Sequence, residues 1–384
     1  MNDAFPRGKT AIVSTATYGM GEAPGLQSID LLAHASIAAL AKAGLTPADV
    51  DGVFTGMPFD LLSGLSVPEY LGIEARITDN NRTGGSAFQT LAVAAALALD
   101  SGQCDVALIA YGSNLRTGVG AIAPPPPDPF EWAYKARYPI SAYALAAVRH
   151  MHEFGTTREQ LAEVAVAARA WANRNPLAVK RGPLTVDDVL GARMVCDPLT
   201  VRDCCLVTDG GAAVVMTRAD RARDLAARPA YLLGGAAATT HNRIAAMPDL
   251  TVTGAVDSGR RAFAQAGYGP GDMDALQLYD AFTINPILFL EDLGFCPKGE
   301  GGRFVSGGRI APGGEFPVNT NGGGLSCVHP GMYGLFALAE AADQLMGTAG
   351  EHQLDRPVEL SLAHGNGMLL SSQATVILGS ASTL

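Results

Sequence analysis

Apolar positions along this chain fall into two spacings. Residues 10–14 form a short run that predicts a buried strand. Residues 29–43 place apolar side chains at helical spacing; Ser28 stands where an N-cap belongs and Gly44 where the helix must end. Pro47, Asp49 and Asp51 make a turn, and residues 52–56 predict the next strand. This order returns downstream. Gly44, Pro47 and Asp51 are echoed by Gly267, Pro270 and Asp274, a constant offset of 223 residues. A second unit repeats as well. A glycine-rich turn and helix over 84–101 lead to a strand at 105–111; the same pattern over 322–347 leads to a strand at 358–363. The chain therefore reads as an internal duplication of an α/β unit. Strands this apolar, alternating with helices, imply sheets covered on both faces.

A different region separates the halves. Residues 123–129 are proline-rich, and helical patterns follow at 141–153 and 158–173, the second capped by Thr157. Residues 197–203 read as a loop and 212–217 as a strand. The expected organisation is an N-terminal half from 1–114 plus 205–230, an inserted cap at 115–204, and a C-terminal half at 231–384.

Composition narrows the partners. The 384 residues are 48% hydrophobic and 17% charged, with a net charge of −10. No basic stretch tracks phosphates, so nucleic acid is not expected. No uninterrupted apolar run reaches membrane-spanning length, and the N-terminus has no signal-peptide core. The six cysteines show no zinc-type spacing, so no metal is expected, and reduced thiols point to the cytoplasm.

The chemistry concentrates in four segments: NRTGGS at 81–86, YDAF at 279–282, NTNGGGLSCVHPGMY at 319–333 and AHGNGM at 363–368. His329 precedes Pro330, a residue suited to the first turn of a helix, so His329 is expected at that helix's positive end. Gly84, Gly365 and Gly367 can present bare N–H groups, and two such donors aimed at one point form an oxyanion hole. Tyr279 and Asp280 follow a strand at 275–278, a common ligand position in α/β folds.

These segments, with SGQCDVALIAYGS at 101–113 and EDLGFCPKGE at 291–300, resemble the thiolase superfamily over nearly the whole chain, in particular its sterol-carrier-protein-x and lipid-transfer-protein branch. The resemblance implies a five-layered αβαβα fold from two duplicated halves, with a loop domain helping to hold coenzyme A, and a homodimer. It also shows what is missing. Gly84 occupies the place of the family's nucleophilic cysteine and Ala363 that of its second cysteine, while Tyr279 replaces the family's Asn or His. Glycine cannot carry an acyl group. Cys327 and Ser86 are the remaining nearby nucleophiles.

A branch of the superfamily that shortens steroid side chains is similar in lacking the cysteines and using tyrosines. By that resemblance Tyr279 and Tyr333 would transfer protons, and His329 with the Gly84 and Gly367 backbone would stabilise an enolate. His329 and His364 would lower the tyrosine pKa from about 10; Asp280 is a rival base. The substrate would be a coenzyme A thioester, with no bound cofactor, and a small zinc-ribbon/OB-fold partner protein is implied. Arg137, Arg169 and Lys180 are possible phosphate contacts. Three readings remain open: retro-aldol cleavage of a β-hydroxyacyl-CoA, acyl transfer by a non-standard nucleophile, and a non-catalytic acyl-CoA-binding subunit.

Overall fold

The computed structural model describes residues 5–58, 60–118 and 129–384. Of the proline-rich stretch, residues 123–128 lie outside the described residues. The first half contains β1 (Thr10–Gly21), α1 (Ser28–Lys42), β2 (Gly52–Thr55), α2 (Ser63–Leu71), β3 (Ile77–Asn80), α3 (Ala87–Asp100) and β4 (Val106–Ser113). The intervening region adds α4 (Ile140–Phe154), α5 (Arg158–Arg174), α6 (Val186–Leu190) and a ribbon of β5 (Met194–Cys196) with β6 (Leu199–Thr200). There follow β7 (Asp209–Arg218), α7 (Ala219–Leu225), β8 (Ala230–Thr239), α8 (Ala255–Ala266), β9 (Ala275–Leu278), α9 (Ile284–Asp292), α10 (Gly301–Val305), α11 (Gly334–Met346), β10 (Leu360–Gly367) and β11 (Ser372–Gly379).

Nine strands hydrogen-bond in the order β3-β2-β4-β7-β1-β8-β11-β10-β9. The two halves of this sheet meet at β1 and β8, where Ala11 pairs with Tyr231 and Ile12 with Ala230. Helices α3 and α11 touch strands of both halves, α1 covers the first half and α8 the second. The layers are therefore α1, half-sheet, α3 with α11, half-sheet, α8: the five-layered arrangement. Helices between two sheets must be apolar on opposite faces, which is why α11 buries residues from Leu335 through Ala342 without a break. The outer helix α1 instead exposes Ile37 and Lys42.

The duplication extends to individual hydrogen bonds. Asp49 accepts the Thr46 N–H at 2.8 Å, and Asp272 accepts that of Gly269 at 2.8 Å. Asp51 accepts the N–H groups of Asp105 and Val106; Asp274 accepts those of Glu359 and Leu360. Each aspartate thus satisfies the start of the neighbouring parallel strand, whose first amides would otherwise lack acceptors.

Boundaries differ from expectation where polar residues carry regular structure. β1 continues to Gly21 through residues too polar to extend the apolar run. Ser28 does not cap α1. Its hydroxyl donates to Asn114 at 2.8 Å, and the Gln27 N–H finds the Asp30 carboxylate instead. Thr157 caps α5 as expected, accepting from the Gln160 N–H while its own N–H donates to Gln160, a reciprocal pair worth about 1 kcal/mol. The segment 363–368, whose glycines are expected to present bare N–H groups, is the end of β10 up to Gly367. The reversal comes later, at Met368 and Leu370, which carry φ of 55° and 63°.

Candidate active site

Tyr279 directly follows β9, whose four residues are all buried. Its ring packs on the 81–86 turn so closely that a Cβ at Gly85 would lie 1.9 Å from the ring. Glycine there is a requirement of contact, not of backbone angle. The Tyr279 hydroxyl lies 3.0 Å from His329 Nε2, and the Tyr333 backbone N–H points at the same oxygen from 3.4 Å. His329 is held by its own backbone: its N–H donates to the Thr208 hydroxyl and its carbonyl accepts from the Thr208 N–H.

Burial sets the charge state of this pair. It pushes the His329 imidazole down to about 4 and the Tyr279 phenol well above its ordinary value. At neutral pH a neutral phenol rests against a neutral imidazole. The expectation of a tyrosine acidified by histidines is therefore corrected, since an uncharged ring supplies no such field. His364 is corrected further. Its Nδ1 meets Thr375 at 2.9 Å and its Nε2 meets Gln373 at 3.0 Å, so it is spent inside the second half-sheet and does not line the cavity.

Asp280 points away from Tyr279 into the glycine loop. Its carboxylate accepts the Gly324 N–H at 2.6 Å and the Leu325 N–H at 3.3 Å. A Cβ at Gly323 would lie 2.0 Å from that carboxylate. Burial raises the Asp280 pKa to about 7 against the pull of these amides. Asn319 ties the same loop to the strand by accepting the Leu278 N–H at 2.7 Å. Asp280 is thus an anchor for the His329 loop and is absent from the cavity wall.

Tyr333 is fully buried, donates to Asn321 Oδ1 at 2.9 Å and stacks on Phe336. It supports Tyr279 through its backbone, while its hydroxyl is engaged elsewhere. Helix α11 begins only at Gly334, so His329 is not at its positive end. The Pro330 carbonyl is taken by the Tyr111 hydroxyl, and Gly331 turns the chain with φ +97° before the helix starts.

The glycines divide into two roles. Gly84 lines the cavity with φ +92°, and a Cβ there would sit 2.9 Å from the backbone of both Gly367 and Met368. Gly365 and Gly367 do not line it. Added Cβ atoms would strike the Gln89 side chain at 2.1 Å and the Thr83 carbonyl at 1.8 Å, so these glycines let β10 and the 81–86 turn pack together. Neither alternative nucleophile faces the cavity: Cys327 is buried beside Asn175, and the Ser86 hydroxyl donates to Ser372 at 3.0 Å.

The cavity itself encloses about 260 Å³. Its wall joins Tyr279, His329 and Gly84 to Tyr143, Cys205, Asn366 and Arg82. Tyr143 sits on α4 of the inserted region, and Cys205 just after it; neither carries a motif. Asn366 lies inside the AHGNGM motif, between Gly365 and Gly367. Arg169 is occupied with Ser326, and neither Arg137 nor Lys180 lines the cavity. Among the described residues no group of His, Cys, Asp or Glu side chains is placed to hold a metal ion, and no helix is long and apolar enough to cross a membrane.

Residues 236–380 match the thiolase C-terminal domain-like family. The chain is 36% identical to an acetyl-CoA acetyltransferase of Methanothermobacter thermautotrophicus, over 93% of this chain and 96% of that protein. It is 34% identical to the 17-hydroxy-3-oxo-4-pregnene-20-carboxyl-CoA lyase of Mycobacterium tuberculosis, over 89% of this chain and 92% of that one. Among solved structures, the Ltp2-ChsH2(DUF35) aldolase superposes with a TM-score of 0.89 at 32% identity, covering 99% of this chain and all of that one. With full-length relatives above 30% identity and the five-layered duplicated fold in place, this chain belongs to the thiolase family.

Proposed function

We propose that this chain cleaves the Cα–Cβ bond of a β-hydroxyacyl-CoA by retro-aldol reaction, without a covalent acyl-enzyme. One observation carries the reading. The cavity presents a hydrogen-bonded Tyr279–His329 pair and, where an acyl acceptor would stand, a glycine at which an added Cβ would meet the Gly367 and Met368 backbone at 2.9 Å. Relatives of both chemistries match at similar identity, so overall likeness does not choose between them. The cavity wall does. Cys205 is its one thiol among the described residues, and burial raises that thiol well above its ordinary pKa, away from the thiolate that acyl transfer needs.

The step is redox-neutral. The substrate's β-hydroxyl gives its proton to the Tyr279 oxygen as Tyr279 passes its own to His329 Nε2. The C–O bond becomes a carbonyl, the Cα–Cβ electron pair moves into the thioester, and an enolate leaves. Returning the proton to Cα releases a ketone or aldehyde and a shortened acyl-CoA. Burial disfavours charge on either residue alone, but imidazolium and enolate form together, so the cavity gains no net charge. The Tyr333 N–H steadies the phenol oxygen as its proton departs. A cavity of about 260 Å³ admits the acyl portion and leaves the nucleotide outside.

Assembly belongs to the same proposal. The related aldolase structure names a second component, ChsH2(DUF35). A small zinc-ribbon/OB-fold partner fits the present chain by that analogy. A homodimer is supported by β3, a sheet edge, together with the exposed Leu61, Leu62 and Leu65 that precede it in the chain. All six cysteines are unpaired, in keeping with a reducing cytoplasm. Incubating the protein with β-hydroxyacyl-CoA esters, alone and with such a partner, tests the function; release of a carbonyl compound with a shortened acyl-CoA is expected, and none in either case would overturn it.

A further inference from the structure

Asn366 is 1% exposed, lines the cavity and lies at the end of β10. Which way a buried amide faces is set by its hydrogen bonds, and here two carbonyls fix the answer from opposite ends. At one end, Gln373 lies 3.2 Å from the Leu370 carbonyl, which can only accept, so Gln373 presents its NH₂ there. The same NH₂ reaches Asn366 at 2.8 Å, which must answer with its oxygen. At the other end, the Tyr143 hydroxyl donates to the Met368 carbonyl at 2.6 Å. Its oxygen is then free to accept, and it lies 2.7 Å from the Asn366 NH₂. Both ends place the Asn366 nitrogen on the Tyr143 side. That nitrogen has two protons and, among the described residues, one partner.

We propose that the second N–H of Asn366 donates to the thioester oxygen of the bound substrate and holds the enolate, with Tyr143 and Gln373 as positioning residues. This rests on the retro-aldol reading for its catalytic use and on the amide geometry for its binding use. A buried donor left unpaired is costly, and the cavity is where a ligand can satisfy it. Of the backbone positions expected in this role, Gly84 lines the cavity, while Gly365 and Gly367 are not on the wall. His364 acquires a role at the same time. With the Gln373 oxygen turned toward it, His364 Nε2 carries the proton and Nδ1 accepts from the Thr375 hydroxyl. His364 thus fixes Gln373, Gln373 fixes Asn366, and Tyr143 fixes the amide from the far side. Tyr143 also stacks on Phe282 at 4.3 Å, which keeps its hydroxyl in place.

The test compares binding of an acyl-CoA thioester with that of the matching S-alkyl-CoA thioether, which lacks the carbonyl, by full-length wild type and Asn366→Ala. Wild type is expected to favour the thioester by roughly two- to tenfold, the size of one hydrogen bond, and Asn366→Ala to lose that preference. A preference unchanged in Asn366→Ala would overturn the proposal. Infrared spectroscopy of a carbonyl-labelled thioester needs no variant. The bound carbonyl stretch should fall to lower frequency in wild type, and an unshifted band would overturn the proposal even if Asn366→Ala fails to fold. Gln373→Leu should restore the free-solution band in part without removing a cavity-lining group. In turnover, Asn366→Ala should lower kcat by roughly 10²-fold with a much smaller change in KM. Loss of the thioester preference in a protein with no retro-aldol product would uphold this inference and refute the proposed function. Turnover with an intact preference in Asn366→Ala would do the reverse.

Discussion

The two halves of this molecule share a scaffold and differ at the strand ends. β2 and β4 pair in parallel in the first half as β9 and β10 do in the second, with Gly52 opposite Ala107 and Ala275 opposite Ser361. That register makes Gly56 the counterpart of Tyr279 and Gly112 the counterpart of Asn366. In the first half both positions are filled by neighbouring backbone: a Cβ at Gly56 would lie 2.4 Å from the Asn81 carbonyl, and one at Gly112 would lie 2.1 Å from that of Ser28. In the second half the same positions carry the phenol and the amide of the cavity wall. The duplicated core supplies the frame, and chemistry resides in the few side chains that one copy has and the other cannot accommodate.

Four substitutions break or sharpen this contrast. Tyr279→Phe removes the phenol while keeping the ring that fills the space above Gly85. Retro-aldol turnover should fall by roughly 10²- to 10⁴-fold, measured by release of the carbonyl product, while the buried hydroxyl's lost hydrogen bonds cost only about 1–2 kcal/mol in thermal unfolding. Gly84→Cys restores the residue type of a thiolase nucleophile at a position with φ +92° and backbone 2.9 Å from the new Cβ. It should cost about 2 kcal/mol or more of stability in denaturant unfolding and yield no acyl adduct; a stable adduct with native stability would show that the turn can accept a nucleophile after all.

The third substitution separates anchor from base. The folded-state pKa of Asp280 is raised to about 7 from 3.8. Across that window the folded chain binds the extra proton, so this group's stabilising contribution is present at low pH and is lost as pH rises toward 7. Asp280→Asn should remove that loss, so that its melting temperature gains on wild type by a few degrees between pH 4 and pH 7, with activity largely kept. Loss of turnover comparable to Tyr279→Phe would make Asp280 the base. His329 and His364, both lowered to about 4 from 6.5, act with the opposite sign: the unfolded chain binds protons first, so wild type loses their contribution as pH falls from about 6.5 toward 4. The smallest effect belongs to Tyr333→Phe. Its hydroxyl is spent on Asn321, so about 1–2 kcal/mol of stability is expected to go with less than about a tenfold change in kcat.

How far the sequence carried depended on what kind of signal each feature leaves. The 223-residue echo of Pro47 and Asp51 in Pro270 and Asp274 survives in sequence because each aspartate closes a fixed set of backbone amides. Tyr279 and His329 stood out because they sit beside glycine-rich turns. Tyr143 did not, since a tyrosine in an alanine-rich helix looks like core until the fold brings α4 to the end of β10. The glycines of 363–368 mislead for a physical reason. Glycine signals either a turn or a close approach, and only the position of Thr83 and Gln89 tells which. His364 and Tyr333 were legible as polar groups near the site but not as spent ones, because their partners, Gln373, Thr375 and Asn321, become neighbours only through sheet and loop packing.

Intact-protein mass spectrometry after incubation with β-hydroxyacyl-CoA and acyl-CoA esters, with the small products analysed from the same samples, tests the central claim most directly. The account predicts a ketone or aldehyde together with a shortened acyl-CoA, and a protein mass that never changes. A stable acyl adduct would contradict it, because a cavity with glycine at position 84 would then be shown to hold a nucleophile.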